Sequence, residues 1–107
     1  MKRRGMSWQE QSWRERLAEL LRGEGVLRGS VSVRRRVCGK AGCRCVDGER
    51  HEAMYVVYRE KGRTVQLYVP KDAEARVRRW VQRYSEARKL LDQLSGVYET
   101  KVRQRRE

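Results

Sequence analysis

The sequence predicts an α+β fold: an N-terminal helix, a small three-stranded antiparallel sheet with a Cys/His metal loop, and a long C-terminal helix. Three observations carry this. Near both ends of the 107-residue chain, apolar residues step by three and four, the spacing of a helix with one buried face. Between them lie three short runs rich in Val, Tyr and Thr, bounded by turn residues, as half-buried strands are. All three cysteines and the only histidine fall within residues 38–51.

Residues 1–6 read as a basic tail. Ser7 with Glu10 three residues on fits a capping box, so a helix is predicted over 8–22. Trp13, Leu17, Leu20 and Leu21 share its apolar face, and Gly23-Glu24-Gly25 stops it. Trp8 and Trp13, beside that leucine stripe, read as core or interface in preference to stacking groups for bases. The first strand is predicted at 31–37, with Val31, Val33 and Val37 on one face and Ser32, Arg34 and Arg36 on the other. Residues 54–59 form the second strand. Glu60-Lys61-Gly62-Arg63 is a turn in which Gly62 is free to take positive φ. The third strand, 64–69, turns Val65, Leu67 and Val69 to one face and ends at Pro70. A long helix follows over 72–95. Val77, Trp80, Tyr84, Ala87, Leu91 and Leu94 make a coiled-coil-like seam of about three heptads. Its first half is expected on the sheet, and its second half on the N-terminal helix or on a second copy of the chain. Ser95-Gly96 is read as its end. The organisation is therefore one zinc-stapled domain, 7–96, between basic tails at 1–6 and 97–107.

The loop reads CGKAGCRCVDGERH, a C-x4-C-x-C-x5-H spacing. Three thiolates and an imidazole supply the four ligands of a closed tetrahedral zinc site, so Cys38, Cys43, Cys45 and His51 are the predicted ligands and Zn2+ the predicted cofactor. The C-x-C step calls for a turn, because residues two apart on an extended strand stand about 7 Å apart while the two thiolates must converge on one ion. The competing reading is three reduced thiols with no metal. A disulfide pairing leaves one cysteine over, and an iron–sulfur cluster usually takes other spacings. Lys40 and Arg44, inside the loop, would offset the negative charge of a zinc–thiolate centre.

Charge is the second signal. Lys and Arg number 27 against 14 acids, for a net charge of +13, and no Phe is present. Residues 28–63 hold ten basic residues and four acids, a local +6. An excess of this sign points to a polyanion, nucleic acid first. No stretch approaches the 18 or so apolar residues of a membrane span, no basic amphipathic helix suits a membrane surface, and no signal-peptide core follows the basic N-terminus. The expected location is the cytoplasm. An enzyme is not expected: the four ligands leave zinc no open position, and no acid or nucleophile is paired with a base.

The run CGKAGCRC, then His51, a Tyr-bearing strand, a Gly turn, Tyr68-Val69-Pro70-Lys71 and a charged helix resemble an uncharacterised family. Its members are small prokaryotic proteins of unknown function, often associated with transposable elements. Their pattern is roughly CGKPxCRC, a spacer, HGPYYY, a hairpin and YVPK. The likeness spans about residues 27–96. This chain has His51-Glu52-Ala53-Met54-Tyr55 where the family usually has His-Gly-Pro-Tyr; all four candidate ligands remain. The strands and helix also resemble the three-stranded domains with which some integrases grip DNA. Two functions follow as expectations. The first is a nucleic-acid-binding module, DNA favoured over RNA, whose exposed sheet face carries Arg34, Arg36, Arg59, Arg63 and Gln66, joined by Tyr55 or Tyr68. Arg can bind phosphate or pair with guanine, and Gln can pair with adenine. Contacts to about five phosphates would give a log–log salt slope near −4 to −5. A slip of one residue in strand phase would exchange the members of this surface. The second is a protein-interaction subunit that dimerises, or binds a transposase-like partner, through the 77–94 seam.

Overall fold

The computed structural model describes residues 7–36 and 51–104, the side chains of Arg36 and His51 excepted. The element order is α1 (Trp8–Leu20), β1 (Ser30–Arg36), β2 (His51–Glu60), β3 (Arg63–Val69), a 3-10 turn (Lys71–Ala73) and α2 (Glu74–Arg103). This is the expected α+β arrangement of helix, three-stranded antiparallel sheet and long helix, with β2 in the centre of the sheet. No helix among the described residues is long and apolar enough to cross a membrane. The chain divides into two compact units, one from residues 27–81 and one from 1–26 with 82–107.

In the sheet unit, β1 and β2 pair from Ser30 with Val57 to Arg36 with His51. β2 and β3 pair from Met54 with Val69 to Glu60 with Arg63. β2 starts three residues earlier than the composition suggests, because His51, Glu52 and Ala53 find partners on β1. The inner face holds Met54, Val56 and Val69, which pack with Ala73 and Val77 and with the partly buried Leu27, Val31, Trp80 and Val81. Leu27 donates its amide to the Trp80 carbonyl at 3.1 Å, tying the lead-in segment to α2. Two expected inner-face residues are not core: Val33 is 46 % exposed and Leu67 40 %. Both sit on outer strands about 10 Å apart, and a single helix about 10 Å across reaches only part of those strands, covering Val69 but not Leu67. Gly29 (φ +120) carries the chain under β2; a Cβ there would lie 2.7 Å from Val56 Cγ1 and 2.8 Å from the Val57 oxygen. Only glycine fits.

The β2–β3 turn is two residues long. Lys61 (φ 49) and Gly62 (φ 78) both have positive φ, as a type I′ hairpin requires. Lys61 in that position carries strain that Gly62 does not. Arg59 offsets it by clasping the turn, donating to Gly62 O at 2.8 Å and Thr64 Oγ1 at 2.9 Å.

In the helical unit, α1 runs antiparallel to the second half of α2, around Leu20, Ala87 and Leu90 with Trp13 and Leu17 against them. Leu90 takes the core place expected for Leu91, which is 52 % exposed; Trp8 is 76 % exposed and outside the core. Ser7 caps α1 by accepting from the Glu10 amide at 3.0 Å. The reciprocal half of the capping box is absent because the Glu10 carboxylate is engaged elsewhere. It accepts from the Tyr98 hydroxyl at 2.7 Å and from Arg14 Nε at 3.2 Å, while Arg14 Nη2 donates to the Tyr98 oxygen at 2.7 Å. At the other end of α1, Arg83 donates to the carbonyls of Leu20 and Arg22. Arg16 grips Glu86 with two bonds, 2.8 and 3.1 Å. These ties explain a correction: α2 does not end at Gly96 but continues to Arg103. A glycine inside a helix costs only about 1 kcal/mol, and Tyr98, beyond it, is anchored to α1.

Glu10 is 2 % exposed. The Tyr98 hydroxyl, and then Arg14, hold its pKa below the ordinary 4.5 although burial opposes them. A carboxylate whose pKa is lowered by folding stabilises the fold above its unfolded pKa and loses that contribution as pH falls through its folded pKa. Tyr98→Phe is expected to destabilise the chain by about 1.5–3 kcal/mol at neutral pH, the range for a hydrogen bond to a charged group. The difference from wild type should shrink below pH 4.5. Urea unfolding of both proteins at neutral and acid pH checks this.

Candidate nucleic-acid interface

Strand register separates the charges of the sheet. Side chains alternate between faces, so the residues that share a face with the buried Met54, Val56 and Val69 include Glu52, Glu60, Arg35 and Arg63. The opposite, outer face takes positions 30, 32, 34 and 36 of β1, odd positions 51–59 of β2, and 64, 66 and 68 of β3. The outer face therefore has arginine at 34, 36 and 59 and no carboxylate at any strand position. Both strand acids lie on the inner face, where Glu60 pairs with Arg28 at 2.5 Å and Glu52 with Arg35 at 3.4 Å. Arg28 also lies over the Tyr58 ring, 4.2 Å from its centroid. Two of the ten cations in the +6 segment are thus neutralised by neighbours.

The outer face brings four side chains together. Arg34 reaches from β1 across β2 to β3, where its Nη1 donates to Gln66 Oε1 at 2.7 Å. On the way its guanidinium carbon passes over the Tyr55 ring, 4.6 Å from the centroid. Tyr55 and its cross-strand partner Tyr68 meet edge to face, centroids 5.9 Å apart and planes at 70°. Tyr68 is 60 % exposed. A cation laid over an aromatic ring and hydrogen-bonded beyond it is held in place before any ligand arrives.

Of the predicted contact residues, Arg34 and Gln66 meet directly. The backbone register puts position 36 on the same face. Arg59 shares that face but clasps the hairpin turn at the far end. Arg63 is a correction: as the strand partner of Glu60 it lies on the inner face. It is three residues from Gln66, and an odd separation along a strand changes face. The tyrosines, expected only as adjuncts, are the centre of the cluster. A two-residue turn at 61–62 makes Tyr55 and Tyr68 direct partners, and that was the available signal. Arg83 on α2 serves as the cap of α1.

The predicted metal ligands Cys38, Cys43 and Cys45 lie outside the described residues, as does the side chain of His51. Among the described residues, no group of three His, Cys, Asp or Glu is placed to hold a metal. What is placed is the frame of the loop. Arg36 and His51 are paired neighbours in the sheet, so the chain leaves for Cys38 and returns at His51 from adjacent positions, about 5 Å apart.

Residues 7–79 match the family described as "Domain of unknown function (DUF6788)". No curated protein and no solved structure matches the chain.

Proposed function

The chain belongs to the DUF6788 family, whose function is unknown, and from that premise we propose that it is a small zinc-binding, nucleic-acid-binding protein. DNA is favoured over RNA, no enzymatic step is involved, and the protein acts in the cytoplasm as an accessory of a mobile element. The observation that supports this best is the partition of charge across the sheet. Three arginine positions and no carboxylate occupy the outer face, beside two tyrosines, while the strand acids lie on the other side. Such a surface attracts phosphate and offers bases a flat support. Zn2+ on Cys38, Cys43, Cys45 and His51 is supported by the donor set and by the paired strand ends that flank it. The association with mobile elements rests on the CGKAGCRC and Tyr-Val-Pro-Lys resemblance alone.

A second reading has its own observation. In the helical unit, Leu17, Leu21, Val26, Tyr84, Ala87, Arg88 and Leu91 line an apolar cleft of about 170 Å³. Leu21 and Leu91 are more than half exposed. A protein-interaction or dimerisation subunit would use this part of the 77–94 seam. Titration of labelled random-sequence duplex and single strand at low salt separates the two. Binding of either tighter than about millimolar supports the first reading. Failure of both, with a dimer in sedimentation, supports the second.

A further inference from the structure

We propose that the ligand of the outer sheet face is an unpaired polynucleotide strand, with bases stacked on Tyr68 and on the Arg34–Tyr55 layer. This rests on the nucleic-acid reading above and narrows it. A sheet that reads a duplex does so with long side chains that stand away from it and reach base edges in the groove. Here the long side chains run the other way. The outer strands are about 10 Å apart, and Arg34 on one of them is hydrogen-bonded to Gln66 on the other. That span is met only with both side chains stretched along the sheet. Arg34 is also kept low by Tyr55, whose ring centroid is 4.6 Å from the guanidinium carbon. The result is a flat surface.

Flat surfaces suit unpaired bases. Single-stranded ligands splay their bases onto aromatic rings and onto arginine planes. Tyr68 offers a ring 60 % exposed, braced edge to face by Tyr55. Its orientation is therefore set, yet its own face is open. Arg34 adds a cation to the same layer, and no described strand position on this face carries a carboxylate to repel a phosphate backbone. The Gln66 amide nitrogen remains as a donor to a base edge, because its oxygen already accepts from Arg34. A strand would cross the sheet from Arg34 to Tyr68 and place about two bases on it. The shared chemistry is a base on a phosphodiester chain; the sugar decides between DNA and RNA.

The test is fluorescence anisotropy of the full chain with labelled oligo-dT, oligo-rU and a mixed-sequence duplex, each about 12 nucleotides long, within the usual site size. At least one single strand should bind about tenfold or more tighter than the duplex. Comparing the two single strands identifies the sugar preferred. Tyr68→Ala should weaken single-strand binding about 5- to 150-fold, the loss of one stacked base, and Tyr68→Trp should restore it. The thermal midpoint should not move with either variant, since the ring is mostly in solvent. Equal or tighter duplex binding, or a silent Tyr68→Ala in a folded protein, overturns the inference while leaving nucleic-acid binding intact. Binding of none of the three probes overturns both.

Discussion

Stripping the proposed zinc is expected to abolish the sheet in one cooperative step. Among the described residues, the sheet unit has little else to hold β1, and its buried cluster there is five side chains, Met54, Val56, Val69, Ala73 and Val77, with no aromatic among them. β1 is an outer strand paired only with β2, and the loop joining them runs from Arg36 to His51. Bringing together the ends of a chain segment of that length costs about 2 kcal/mol beyond the fixed term. A structural zinc returns about 10–16 kcal/mol in zinc-finger peptides at neutral pH, comparable to or greater than the whole stability of a small domain. Chelation, or Cys43→Ser, should therefore strip amide-exchange protection from Val31 and Val56, and metal analysis of the native protein should find one zinc per chain. Readdition of zinc should restore protection in the wild type and not in the variant. Unchanged thermal unfolding after complete metal removal would refute the structural role.

The parts of the fold that local chemistry dictates were legible in the residues. Alternation placed three strands, Gly62 placed the turn, and Pro70 ended β3. What was missed depended on contacts distant in sequence. Gly96 reads as a helix end, yet Tyr98 beyond it is anchored to Glu10, 88 residues earlier, and the helix runs on to Arg103. Glu10 reads as half of a capping box, but the same tie takes its carboxylate. Arg83 caps α1 from 63 residues away. At the candidate interface the opposite holds. The misplacement of Arg63 was correctable from the sequence, since residues 63 and 66 of one strand cannot share a face. Once the two-residue turn is accepted, the pairing of Tyr55 with Tyr68 follows by counting. The arginine laid over Tyr55 does not follow, because rotamers across three strands leave no trace in spacing.

The same register changes the expected salt dependence. The sequence suggests about five phosphate contacts, but Arg63 is on the inner face and Arg28 and Arg35 are paired with Glu60 and Glu52. Arg34, Arg36 and Arg59 remain as outer-face positions. Three contacts imply a log–log slope near −2 on a single strand and about −2.7 on a duplex. Affinity should then fall about 20- to 40-fold between 50 and 200 mM salt. Arg34→Ala with Arg36→Ala should flatten the slope by about 1.4 to 1.8 units, according to the strandedness of the probe. Arg34 is exposed and Arg36 closes an outer strand, so the double variant should keep its thermal midpoint. Arg63→Ala, from the inner face, should leave the slope where it is. A slope of −4 or steeper would mean that cations beyond this face bind as well. If the double variant then proved silent, phosphate would be meeting the chain at α2, where Arg76 lies over Trp80 with 5.6 Å between guanidinium carbon and ring centroid, and the sheet would lose its claim to be the interface.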